Sequence, residues 1–257
     1  MMRQTLFICV LFFLFSCGED VLEQDVKSSK LNTETAQSKV AKGEIQIIEP
    51  IVDDEVVVLE KDGISLTEIK SEKHLAASVH LNTKKFGAGK NQLSFSVSNI
   101  PNYSLVYLAN NSSLTEFKSE VFEVEFLHGN NVFLAFLSDK NNISIKTNKA
   151  SVLKNVVLGG VESLFDMEQP HLFYYLPQGQ TQEPILDFYL TNTSIAKNAN
   201  KVKVIINQTE FIINKWAAYK ISGLENTLRI QLLDKNNLLI NGPFNDSGER
   251  KFKVVKE

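Results

Sequence analysis

Few side chains in this sequence are spaced for chemistry. Four histidines, His74, His80, His128 and His171, are the groups best suited to proton transfer near neutral pH, but they lie too far apart for a metal-ligand motif. His74-Leu75 and His171-Leu172 occupy comparable places in two halves of the chain, which predicts a shared structural role. Asp139-Lys140-Asn141-Asn142 and Asp234-Lys235-Asn236-Asn237 could offer oxygens to calcium. Each supplies one acid where a good site gathers several, so hairpin turns are expected instead. Gly87-Ala88-Gly89-Lys90 has two glycines and the lysine of a phosphate loop, without the upstream glycine or the strand-to-helix setting, and is read as a turn. There is no G-x-S-x-G, H-E-x-x-H, C-x-x-C or dinucleotide fingerprint. The expectation is a protein that is not an enzyme and needs no cofactor or metal.

Aromatic residues with polar tips are concentrated late in the chain. Trp216, Tyr219, Tyr174 and Tyr175, with Tyr189 nearby, are the candidate ligand-binding residues, because such rings stack on sugars and anchor many interfaces. The competing reading is that Trp216 fills the core of a β-sandwich.

Cys17 is the other reactive group. Arg3 precedes an apolar run from Leu6 to Phe15, then Ser16 and Cys17. A spanning helix needs about 20 apolar residues, so this shorter run reads as an export signal. Leu14-Phe15-Ser16-Cys17 resembles the lipobox of bacterial lipoproteins, in which the cysteine is acylated and becomes the new N-terminus. Ordinary cleavage near Ser16 or Gly18 would instead leave a soluble secreted chain. The remaining cysteine, Cys9, lies in the removed segment, so acylation of Cys17 avoids an unpaired thiol on an exported protein. Several acyl chains make a stable anchor where one is marginal. Gly18-Glu19-Asp20 has no aspartate directly after Cys17 and resembles an export signal of Bacteroidota lipoproteins. The expected location is the outer membrane, lipid-anchored, on its periplasmic or cell-surface face.

These residues must be positioned by elements whose periodicity is mostly two. Residues 17–44 are polar and lack aromatics, with too little apolar surface to offset chain entropy, and are read as a tether after the signal at 1–16. A flexible chain of that length reaches roughly 25 to 30 Å. Beyond it, Phe122, Val124 and Phe126 alternate with Glu123 and Glu125, and Leu228, Ile230 and Leu232 with Arg229 and Gln231; Val202 and Val204 flank Lys203. Such alternation belongs to antiparallel sheets with one face in water. Val132 to Leu137 is apolar throughout, which predicts a central strand, and no amphipathic helix follows the signal. Without the signal the side chains are 26 basic against 30 acidic, with no basic block, so nucleic acid is not an expected partner. Of the seventeen phenylalanines, the thirteen beyond the signal give apolar surface for a core that no disulfide can staple.

The chain also repeats itself. Leu93-Ser94-Phe95-Ser96-Val97-Ser98-Asn99 matches Leu186-Asp187-Phe188-Tyr189-Leu190-Thr191-Asn192 at an offset of 93. Phe133 to Asn142 matches Leu228 to Asn237 at an offset of 95. The expected fold is all-β, a tandem of two related antiparallel immunoglobulin-like sandwiches, at 45–157 and 158–257.

The second half carries a longer likeness. Leu186 to Asn192, Lys201 to Asn207, Glu210-Phe211, Lys215-Trp216, Tyr219, Gly223-Leu224 and Gly242-Pro243-Phe244-Asn245 resemble a family of Bacteroidota lipoproteins labelled phosphopeptide-binding proteins. The resemblance lies mainly in residues 172–245 and implies a binding module without known catalytic activity. Where that family reads Phe-Tyr-Ser-Arg-Pro-Lys-Gly, this chain has Phe173 to Gly179 with neither cation, and a phosphate dianion needs such cations. The resulting expectation is a non-catalytic lipoprotein, attached to the membrane through its lipid anchor, that holds a glycan, peptide or envelope protein. The alternative is a structural accessory subunit of a larger envelope assembly.

Overall fold

A computed structural model describes residues 55–71, 73–223 and 227–255. The expected signal at 1–16, Cys17, the tether at 17–44 and the start of the 45–157 span lie outside the described residues.

In chain order, β1 (Val58–Lys61) and β2 (Ile64–Ile69) form a hairpin. Then come β3 (Ser78–Leu81), β4 (Gly89–Ser98), β5 (Ser104–Ala109), β6 (Ser113–Phe117), β7 (Val121–Phe126), β8 (Gly129–Ser138) and β9 (Ser151–Leu158). The second half contains β10 (His171–Leu176), β11 (Gly179–Thr181), β12 (Ile185–Thr191), β13 (Lys201–Ile206), β14 (Thr209–Ile213), β15 (Ala218–Ser222), β16 (Thr227–Leu233) and β17 (Arg250–Val254). The one helical element among the described residues is a 3₁₀ turn at Asn148–Ala150.

The expected all-β tandem is present, and the duplication extends to topology. The first sandwich faces a sheet of order β3-β4-β7 with one of order β6-β5-β8-β9. The second repeats this as β10-β12-β15 and β14-β13-β16-β17. Registers agree as well: Leu93 pairs with Phe122 where Leu186 pairs with Tyr219, and Leu105 pairs with Leu137 where Val202 pairs with Leu232.

Local chemistry explains the matching strand ends. Asn99 and Asn192 close equivalent strands at φ of 61° and 53°, a region asparagine tolerates better than most residues. In the two Asp loops, Asp139 Oδ1 accepts from the N–H groups of Asn141 (2.8 Å) and Ile143 (3.0 Å), and Asp234 Oδ1 from those of Asn236 and Leu238 (both 2.8 Å). Asn142 and Asn237 take the left-handed position at φ of 60° and 66°. Both loops are turns whose carboxylates are engaged by their own backbone. The Gly87 turn is closed by Asn91, whose amide donates to the carbonyls of Gly87 and Gly89, while Lys90 pairs with Glu123 at 2.8 Å.

Two departures from the sequence reading matter for the site. The 45–157 span does not form one module, because β2 pairs with β15 and carries the hairpin onto the sheet of the second sandwich. Ile64 and Leu66 are buried in that sandwich's core. An exposed sheet edge invites pairing, and the hairpin covers one. Secondly, His74 is not the counterpart of His171. His171 pairs with Thr191 and Ser78 with Ser98, so the repeat places Ser78 opposite His171 and leaves His74 before β3.

Each sandwich has its own core. A third cluster joins them. Val106, Leu108, Val132, Leu134 and Phe136, on the outer face of β5 and β8, pack with Phe173, Tyr175 and Tyr189 from β10 and β12, together with Phe165. These four strands are therefore buried on both faces, which is why Val132 to Leu137 is apolar without alternation.

Candidate functional site

The segment from Ile69 to Ala77 runs from the second sandwich, where β2 ends, to the first, where β3 begins. It crosses the seam and forms one wall of a cavity of about 410 Å³. Ile145, Lys146 and Thr147, after the Asp139 turn, form a second wall, and Lys215, Trp216 and Ala217, between β14 and β15, form a third. Ligand cavities of a few hundred Å³ are common at such junctions.

A buried ion pair lies beside this cavity. Asp187 is fully buried and accepts from the Ser144 N–H and hydroxyl, both at 3.0 Å, and from the Lys146 ammonium. Lys146 also donates to Ser144 Oγ (2.5 Å) and to the Phe188 carbonyl (2.7 Å). Burial pushes the Lys146 amine below the usual lysine range, and the Asp187 carboxylate opposes that shift. Nearer the opening, Lys215 pairs with Glu68 at 2.8 Å, and Glu68 Oε2 accepts from the Val57 N–H at 3.0 Å.

Trp216 packs into the protein and also borders the cavity. It is half-buried, packing against both the second core and the seam, and it lines the cavity. Its indole N–H donates to the Phe188 carbonyl at 3.3 Å, and its ring meets Tyr189 edge-on at 5.0 Å. The Lys146 amine lies 6.0 Å from the ring centre.

The three tyrosines expected beside it form no surface platform. Tyr174, Tyr175 and Tyr219 are at most 2% exposed. Tyr174 and Tyr219 point into the second core, while Tyr175 lies in the seam. Tyr174 and Tyr175 sit on β10, which is covered on both faces, and Tyr219 faces the core from β15, so none of the three offers a side to a ligand. Tyr219 still shapes the site, since its hydroxyl donates to the Lys215 carbonyl at 2.8 Å and so fixes the residue before Trp216. Tyr189 does the same for the opposite wall, donating towards the Thr147 (2.6 Å) and Ile145 (3.0 Å) carbonyls.

The residues that sequence reasoning missed are Lys146, Asp187, Lys215 and Glu68. Asp187 left one signal, an acid within the apolar run Ile185 to Leu190 where the first repeat has Ser94. Of the histidines, His74 lines the cavity. His171 donates from Nε2–H to the Asp166 carbonyl (2.7 Å), stacks on Phe165 at 4.2 Å, and has its pKa lowered chiefly by burial. Among the described residues no group of three His, Cys, Asp or Glu could hold a metal ion, and no helix is long and apolar enough to cross a membrane.

No protein-family model matches the chain, and no curated protein matches it. Solved structures similar to it include fibronectin(III)-like modules of Clostridium thermocellum CbhA, at 11% identity and a TM-score of 0.23, covering 68% of this chain and 93% of that one. The tandem V-type regions of VCBP3, a v-region-containing chitin binding protein, are 12% identical with a TM-score of 0.20, covering 69% of this chain and 99% of that one. Sheet order and register, rather than these likenesses, establish the fold described above.

Proposed function

We propose that this protein is a non-catalytic lipoprotein of the bacterial outer membrane or cell surface, anchored through Cys17, whose joined sandwiches bind a ligand at the seam cavity. The observation that carries the reading is the placement of Trp216: a half-buried indole, fixed by hydrogen bonding and edge-on packing, lining a cavity at a junction. Rigid presentation of an aromatic ring lowers the entropy lost on binding. The acyl anchor and the tether at 17–44 would hold that body clear of the lipid headgroups.

The test is capture on a glycan array and by crosslinking in intact cells, using the full chain and Trp216→Ala. The expected result is capture that the substitution abolishes while circular dichroism stays unchanged. Equal capture by a folded Trp216→Ala chain would overturn the site assignment.

A second reading, a structural accessory of a larger envelope assembly, is favoured by one observation. Leu127, Val161 and Leu164 are exposed in two loops tied together by Asn130, which donates to the Glu162 carbonyl and accepts from the Leu164 N–H. Exposed apolar residues gathered at one end suit a protein partner. A stoichiometric companion after detergent extraction would favour this reading.

A further inference from the structure

We propose that Lys146 and Asp187 condense into an intramolecular amide that ties the two sandwiches together across the seam, a modification site independent of the ligand-binding reading. The placement of the reactants carries the inference. The Lys146 amine contacts Asp187 Oδ1 directly, so no chain movement is needed to bring nitrogen to carboxyl. Asp187 has no exposed side-chain surface and Lys146 retains only 12%. The rings of Phe188, Tyr189 and Trp216 lie beside the amine in place of water, with centres at 5.3, 6.0 and 6.0 Å. Groups held this way react at the high effective concentration of an intramolecular step. Because Lys146 follows β8 in the first sandwich and Asp187 lies in β12 of the second, the product would hold both sides of the seam when its apolar contacts loosen.

The step balances within the pair. One proton passes from the Lys146 ammonium to Asp187 Oδ1, giving an amine and an acid with no change in net charge. Burial favours that neutral form, and it already pushes the Lys146 amine below the usual lysine range. The nitrogen then attacks Asp187 Cγ, a second nitrogen proton moves to Oδ1, and the Cγ–Oδ1 bond breaks to release one water. Nothing is oxidised or reduced. Ser144 supplies the remaining parts. Its hydroxyl accepts from Lys146 (2.5 Å) and donates to Oδ1 (3.0 Å), which is the route a shuttled proton takes. Its N–H donates to Oδ2 at 3.0 Å, where negative charge gathers as nitrogen adds. The released water has the adjoining cavity, which Lys146 lines, as its exit. The ion pair described above is the reactant, and chains that have not condensed retain it.

The test is mass spectrometry of the denatured full chain, intact and after trypsin, beside Lys146→Arg and Ser144→Ala chains prepared alike. We expect the native chain to be lighter by one water, a branched peptide joining Lys146 to Asp187, and neither in Lys146→Arg once the substitution itself is allowed for. In Ser144→Ala, which keeps the N–H, condensation followed at fixed times after synthesis should slow by about a hundredfold. An aged native chain at its full mass would overturn the inference, and that reading needs no variant to fold. So would a lost water located elsewhere, as at Asp62-Gly63, where an aspartyl imide gives the same change in mass. Condensation at the native rate in a folded Ser144→Ala chain would overturn the shuttle.

Discussion

Asp187 is the residue whose burial is most costly without partners, and its surroundings explain why it is tolerated. A carboxylate withdrawn from water needs its hydrogen-bonding capacity filled, and Ser144 and Lys146 fill it from the other sandwich. Asp187→Ala leaves the Lys146 ammonium buried without its counter-charge, so we expect a loss of about 3 to 5 kcal/mol in urea unfolding. Lys146→Met combined with Asp187→Leu should recover much of that loss, because the desolvated charges leave together. A double substitution as unstable as Asp187→Ala would show that the pair is not the source. The sequence offered half of this picture. An acid in an apolar strand was visible, but its partner comes from 41 residues upstream, a distance no spacing rule covers. The tyrosines show the same limit: their concentration was legible, whereas exposure of Tyr175 depended on whether the other sandwich covered the outer face of β10.

At the scale of elements, the β1–β2 hairpin is the clearest departure from a simple tandem. Its sequence has the alternation of an edge strand, and Asp62 and Gly63 turn it at φ of 53° and 76°. Nothing in residues 58–69 names the sheet they join, because the partner strand β15 begins about 150 residues later. By contrast, the matched turns at Asn142 and Asn237 were readable, since there the chemistry is local and the residues that bond lie within four positions of one another. The hairpin's contribution can be measured. Leu66 is fully buried in the second core, and Leu66→Ala should cost about 2 to 5 kcal/mol through the cavity it leaves. Hydrogen exchange should then quicken at Tyr219 and Ile221 in β15, which faces β2, before it quickens in β4 or β7 of the first sandwich. Loss of protection spread evenly through both sandwiches would contradict a role confined to that sheet.

The whole molecule is governed by the seam. Contacts between domains of one chain are commonly polar and permit relative motion, but this one is built from aliphatic and aromatic side chains at the centres of four strands. Fully burying each such side chain contributes roughly 1.5 to 3 kcal/mol, an upper value given residual burial in the unfolded chain. Summed over the cluster, that exceeds the few kcal/mol by which small domains are stable, so neither sandwich gains by opening alone. The two should unfold as one unit, and the chain holds its own probe in Trp216, the single tryptophan, whose ring packs against Tyr189 at the seam. Tryptophan fluorescence and far-ultraviolet circular dichroism should therefore change at the same urea concentration in the native chain. Phe136 sits between Tyr175 and Tyr189 at centroid distances of 4.8 and 5.3 Å, and Phe136→Ala should remove about 3 to 5 kcal/mol. Adding Val106→Ala should separate the two signals, with fluorescence changing first as the seam opens and the remaining sheet signal following. If the doubly truncated chain still gave coincident transitions at the native midpoint, the sandwiches would owe their coupling to the chain segment that runs from β2 to β3 and not to this cluster.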